Sequence, residues 1–173
     1  MTYNKSQRIF WFTLPLFLLL MMLSVSSCQP AADETSTVEA IVQGFIEALN
    51  AGDVEGALAF LADDAVVQLI PPPEPAGEGV FTGKEEIRGW YEIMAEGQGF
   101  NTLSNVSVNG DQVTALIRFS DEGLKQMGVD FLDNEWAATI KDGKIQGYTA
   151  TVTGESMEKL MAALAALEAA QTE

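Results

Sequence analysis

Few residues in this chain can do chemistry, and several of the usual agents are missing. There is no histidine, and Cys28 is the only cysteine. Zinc, haem and a Ser-His-Asp triad are therefore not expected, since each needs imidazole, thiolate or a histidine base. No D-x-D-x-D-G spacing occurs either, and Asp63-Asp64 and Glu85-Glu86 read as helix-end and surface charges rather than a calcium loop. No metal and no cofactor is expected. What remains is a cation, a carboxylate and a phenol in the later half of the chain: Arg118, Glu135 and Tyr148. Together they could orient the polar group of an otherwise apolar molecule, and they are the candidates for any catalysis. The competing reading of the first two is a cross-strand ion pair at the surface.

These three residues lie where the hydropathic period is two. Asn105 to Val108 is expected to pair through Asn109-Gly110 with Gln112 to Phe119, and Asn134 to Lys141 through Asp142-Gly143 with Lys144 to Val152. In the first hairpin Val113, Ala115, Ile117 and Phe119 share one face, and Thr114, Leu116 and Arg118 the other. Between the hairpins, Ser120 to Gly128 fits a helical turn capped by Ser120 or Asp121. Upstream, Thr82-Gly83-Lys84-Glu85 has the form of a capping box. It opens a helix with Ile87, Trp90, Tyr91 and Met94 on one stripe, from which Trp90 or Tyr91 could line a pocket. The proline-rich Pro71 to Gly79 segment reads as a stiff surface loop.

The stretch from Val38 to Ile70 sets the frame for these elements. Val38, Ile41, Val42, Phe45, Ile46 and Leu49 recur at helical spacing, and a cap of Thr35, Ser36 or Thr37 is expected before them. Gly52 and Asp53 supply a stop and a new start, and Ala57, Leu58, Leu61 and Ala62 are expected on a short second helix. Asp63-Asp64 then leads into a strand from Ala65 to Ile70. At the far end, Met157, Leu160, Met161, Leu164 and Leu167 predict a C-terminal helix.

Phe45 to Asp53 and Leu61 to Ala65 resemble the opening of the SnoaL-like and ketosteroid-isomerase-like proteins of the nuclear-transport-factor-2-like superfamily. The resemblance implies an α+β, cone-shaped, curved mixed or antiparallel sheet wrapped around N-terminal helices, with the C-terminal helix as an addition. That helix, or a second subunit, is expected to cover the convex face of the sheet. The resemblance also implies a cavity lined by Phe45, Val67, Leu69, Trp90, Trp136, Arg118 and Tyr148. In the isomerases a tyrosine on the first helix and a base on the first strand do the work, and those positions are Phe45 and Leu69 here. The protonated acid falls near Glu135 or Trp136. Where the epoxide-hydrolase-like members carry a carboxylate two residues beyond the arginine, this chain has Ser120. A small apolar ligand bound without turnover is the expectation that follows. Its rivals are an enzyme using Glu135, Arg118 and Tyr148, and a protein-interaction module at the cell envelope.

The N-terminus reads as an export signal: Lys5 and Arg8, then an apolar run from Ile9 to Leu23. Val25-Ser26-Ser27-Cys28 resembles the bacterial lipobox, which implies cleavage before Cys28 and acylation of that residue. The expected organisation is a signal peptide over 1–27, a lipidated tether over 28–35, the cone domain over 36–153 and a C-terminal helix over 154–173. Two or three acyl chains would hold the protein at the outer face of a bacterial membrane. Cleavage leaves 146 residues, enough for one domain that buries about 70% of its unfolded surface. It also removes two of the nine basic residues and none of the 25 acidic ones, so the formal charge goes from −16 to −18. Nucleic acid is excluded as a partner by that charge. A homodimer is the remaining partner expected.

Overall fold

The computed structural model describes residues 32–73 and 77–171. The expected signal peptide, Cys28 and the first part of the tether lie outside them. Among the described residues, no helix is long and apolar enough to cross a membrane.

The first helix, α1, runs over Ala32–Asn50. Its stripe buries Val42, Phe45 and Ile46 and half-buries Val38, Ile41 and Leu49, as the spacing predicts. Because the helix already begins at Ala32, the expected caps Thr35, Ser36 and Thr37 fall inside it. Gly52 takes the left-handed conformation (φ +67°) that stops α1, and Asp53 caps the next helix by accepting from the Gly56 N–H at 2.9 Å.

That helix, α2, is only Val54–Ala59. Leu61 and Ala62, expected on it, belong instead to β1, Leu61–Ile70. The reason is tertiary. Leu61 pairs with Ile145 in the parallel ladder, the Ile145 N–H donates to the Phe60 carbonyl at 2.9 Å, and both side chains are fully buried. A register shift between Leu61 and Val66 absorbs Asp63 and Asp64, which point to solvent.

β2 (Val80–Thr82) pairs antiparallel with β1 and leads into α3, Gly83–Glu96. The expected capping box is altered. The Thr82 N–H donates to Glu86 Oε2 at 2.7 Å rather than to Glu85, and the Thr82 hydroxyl makes no cap bond. Gly83, at φ +76°, has a non-helical backbone, and the carboxylate that reaches the Thr82 N–H stands four residues on rather than three.

β3 (Phe100–Asn109) and β4 (Gln112–Ser120) form the first hairpin, with Asn109 opposite Gln112, so its loop is Gly110-Asp111 rather than Asn109-Gly110. Asp121 caps the short α4, Glu122–Gln126, by accepting from the Leu124 N–H at 2.7 Å. β5 (Leu132–Lys141) and β6 (Lys144–Val152) close around Asp142 (φ +53°) and Gly143 (φ +72°), the pair of left-handed residues that a two-residue hairpin turn favours.

The strands make one six-stranded mixed sheet in the order β2-β1-β6-β5-β4-β3, parallel only between β1 and β6. The sheet is curved and unclosed, and α1 to α3 fill its concave side. α5, Gly154–Gln171, does not cover the convex face as expected. It docks by Leu160 and Ala163 against Phe119, Leu124, Met127, Val129 and Leu132, with the Ser156 hydroxyl accepting from the Asp133 N–H at 2.8 Å. Its later residues Met161, Leu164 and Leu167 stay exposed.

Candidate functional site

Four aromatic rings from four elements meet inside the concave sheet. α1 supplies Phe45, α3 Tyr91, β5 Trp136 and β6 Tyr148. The register sets Tyr148 between Val67 on β1 and Ala138 on β5, so all three project to the same side. Tyr148 lies with its ring centroid 5.9 Å from Phe45 and 5.6 Å from Trp136, and Phe45 lies 6.1 Å from Tyr91. These tilted contacts are in the favourable range for aromatic pairs. Phe45, Val67, Tyr91 and Trp136 are each no more than 2% exposed, so in this conformation the rings close the interior.

The polar feature of this interior is a phenol pair. Tyr91 Oη and Tyr148 Oη are 3.1 Å apart and buried. Burial pushes both phenols up, Tyr148 to about 12 and Tyr91 well above its ordinary value, because a phenolate there would lose its hydration. Both are neutral at physiological pH. The buried polar or charged residues among those described are Asn101 and Ser156, neither of them ionisable. Asn101 sits on β3, where the Asn50 side chain bonds its backbone N–H and C=O.

The sequence-derived candidates divide between the two faces. Phe45, Val67, Trp136 and Tyr148 are interior. Leu69 and Trp90 are half-buried beside them, Trp90 stacked on Phe81 at 5.6 Å. Arg118 and Glu135 are on the outer face, across the sheet from Tyr148, so the expected trio is not assembled. Nor do Arg118 and Glu135 pair with each other: the β4–β5 register sets Glu135 opposite Leu116 and Asp133 opposite Arg118. Arg118 Nε donates to Asp133 Oδ1 at 2.8 Å and Nη2 to Oδ2 at 3.0 Å, while the guanidinium lies 3.7 Å from the Phe131 centroid. These bonds hold the Asp133 carboxyl below the usual carboxylate range and raise Arg118. Alternation along β4 already contained the signal, since it set Arg118 with Thr114 and Leu116. Of the two α3 aromatics expected as pocket candidates, Tyr91, which the lining implied by the resemblance omitted, is the buried one.

The outer face holds a second feature. A shallow depression of about 480 Å³ lies over Gly147 and Ala137, walled by Val66, Gln68, Gln112, Thr139, Gln146 and Thr149. None of these is charged. Among the described residues, no cluster of Asp, Glu, His or Cys is arranged to hold a metal ion.

A curved open sheet closing on three helices, with alternate strand residues turned into an aromatic interior, defines the cone-fold class. The chain belongs to the SnoaL-like domain family, whose model matches residues 42–148. Solved structures agree on the fold. A Mycobacterium tuberculosis protein, RV0760c, in complex with estradiol-17beta-hemisuccinate is 17% identical with a TM-score of 0.57, over 69% of this chain and 96% of that one. A computationally designed 17-OHP binder is 18% identical with a TM-score of 0.59, over 69% and 93%. An NTF2-like protein from Cytophaga hutchinsonii is 14% identical with a TM-score of 0.53, over 68% and 90%.

Proposed function

We propose that this protein is a lipid-anchored envelope protein whose cone holds a small apolar molecule without converting it. The observation that carries the reading is the interior formed by Phe45, Tyr91, Trp136 and Tyr148: aromatic, shared by four elements and free of ionised side chains. Such a surface takes apolar ligands and offers no general base. The residues at the isomerase tyrosine and base positions, Phe45 and Leu69, are apolar. Two similar structures are described with steroid ligands, which supports an apolar ligand class for this fold. Ligand entry requires the rings to part, and the half-buried Leu69, Trp90 and Met94 are the apolar side chains that adjoin them. Native mass spectrometry of the protein purified gently from its host tests this. Stoichiometric apolar small molecules are expected; an empty protein whose thermal midpoint ignores a lipid and steroid panel ends the reading.

Anchoring rests on Val25-Ser26-Ser27-Cys28 after the apolar run. Metabolic labelling with a radioactive fatty acid is expected to mark the wild type and not a Cys28→Ala variant. A second copy is assigned to the outer sheet face, because in a body of this negative charge that face carries mainly Thr, Ser, Gln, Val and Ala. Its five long strands span on the order of 800 Å², what a standard interface takes from each partner. The same mass spectra count subunits, and Ala137→Glu is expected to return a dimer to monomer.

A further inference from the structure

We infer that the free edge of β3 is a docking site for an extended peptide segment carrying lysine or arginine, which adds to the sheet as a further strand. The inference is independent of what the interior holds. β3 ends the sheet order on one side and pairs only with β4. From Phe100 to Asn109 it carries no charged residue and no proline, the residues that usually blunt such an edge. One position shows what the edge accepts. The Asn50 side-chain amide accepts from the Asn101 N–H at 2.7 Å and donates to the Asn101 C=O at 2.8 Å, as a peptide unit of a neighbouring strand would. With Asn101 turned away from β4, alternation turns the N–H and C=O of Leu103 the same way. Beyond the bulge between Ser104 and Ser107, the β4 register does so for Val108, opposite Val113. Beside this edge lies a groove of about 440 Å³, lined by Glu39, Ala40 and Gln43 of α1 and by Leu103 and Val106 of β3.

The α1 wall selects the partner. Glu39 stands exposed in it, and one turn beyond Gln43 the exposed Glu47 accepts from the Gln43 amide at 2.9 Å. Neither α1 nor β3 contains a lysine or arginine. A second copy docked on this edge would set the same carboxylates against each other, and an acidic segment would meet them with like charge. A cationic segment meets them with opposite charge, and the net charge of −16 steers it to the surface. Its backbone pairs with Leu103 and Val108, and its apolar side chains rest on Leu103 and Val106.

The test uses the full chain in detergent micelles and the fluorescently labelled peptide Lys-Thr-Val-Thr-Val-Lys, blocked at both ends. Two controls accompany it: the same peptide N-methylated at its four central residues, and one with glutamate in place of each lysine. Binding is read by fluorescence anisotropy, and the site by amide hydrogen exchange. The lysine peptide is expected to bind and to slow exchange at Leu103 and Val108. Each control should bind about tenfold more weakly, the first for want of backbone donors and the second for its charge. Glu39→Gln, at an exposed position, should weaken the lysine peptide about threefold. No binding of the lysine peptide overturns the inference. So does binding that N-methylation leaves unchanged, that leaves exchange at Leu103 and Val108 unaltered, or that is equal for the glutamate peptide.

Discussion

Along β4, Val113, Ala115 and Ile117 turn toward the helices and are at most 8% exposed, while Gln112, Thr114 and Arg118 between and beside them face water. β1 repeats the arrangement, with Ala65 and Val67 fully buried and Val66 and Ile70 about 40% exposed. One sheet therefore presents two unlike surfaces. The inner one is apolar, aromatic and closed. The outer one is short-chained, hydroxyl- and amide-rich and open, and it carries few of the 25 acidic residues. Stability and contact therefore reside on different faces. Burial on the inner face holds the fold together, so the outer face is free to be shaped by whatever meets it.

The largest expected effect comes from breaking the inner face. Trp136 and Ala137 are consecutive on β5, yet Trp136 is buried and Ala137 exposed. Trp136→Ala removes a ring that packs on Tyr148 and should cost about 3–5 kcal/mol. Ala137→Ser should stay within about 0.5 kcal/mol. Urea unfolding followed by circular dichroism measures both. Similar midpoints for the two variants would erase the distinction between faces.

Alkaline pH is the next lever, and it reaches only the inner face. Tyr148 has a folded value near 12 against an ordinary value of about 10, because burial disfavours its phenolate. The folded state thus binds more protons than the unfolded state between those values. Stability is level below about pH 10 and falls from there to about pH 12, by roughly 3 kcal/mol in total. The shift at Tyr91 has the same sign and adds to the loss. Denaturant titrations at pH 9, 10 and 11 should show the slope in the wild type and a shallower one in Tyr148→Phe. An unchanged slope in that variant would mean that the phenol pair is not the titrating group.

Gly147 lies on the outer face and yet should not tolerate a side chain. A Cβ there would sit 2.5 Å from the Val66 carbonyl oxygen, in the parallel pairing of β1 with β6. Gly147→Val should cost about 1–3 kcal/mol by pushing the two strands apart. Hydrogen exchange should then rise first at Val67 and Leu69. Protection unchanged there would show that the ladder can absorb the methyl groups.

Much of this was legible where the determinants are local. The α1 stripe, the Asp142-Gly143 turn and the Asp121 cap each depend on a few neighbouring residues, and alternation sorted β4 into its two faces. Apart from the helix caps and the first hairpin turn, the departures are long-range. Leu61 leaves the helix because Ile145 offers it a parallel partner. Glu86 rather than Glu85 reaches the Thr82 N–H, where Gly83 takes a positive φ. The partner of Arg118 is set by the β4–β5 register, which the α4 segment between the strands leaves unfixed in sequence. Tyr91 finds Tyr148 across 57 residues, and no spacing rule links them. The destination of α5 depends on the second cluster around Leu132, whose members come from three separate elements. The family resemblance supplied the cone, and it drew Arg118 into the lining, although alternation set Arg118 on the face opposite Val113, Ala115 and Ile117.

The smallest effect is expected at the pair that the family comparison drew inward and the register sends out. Arg118 and Asp133 meet in a forked bond, but the two side chains are 51% and 21% exposed, and exposed ion pairs contribute little. Arg118→Met keeps most of the stem that lies over Phe131 and removes the charge. Its thermal midpoint should move by no more than about 2 °C. What the pair does contribute has a sign. Arg118 holds the Asp133 carboxyl low through its hydrogen bonds first and its charge second. That contribution is present above about pH 4 and is lost as the pH falls through the lower folded value. The wild type and Asp133→Asn should therefore differ slightly at pH 6 and converge near pH 2, while the Ser156 bond to the Asp133 N–H remains in both. A loss in Arg118→Met as large as in Trp136→Ala would place Arg118 among the residues that hold the cone together, and the division between the two faces would no longer stand.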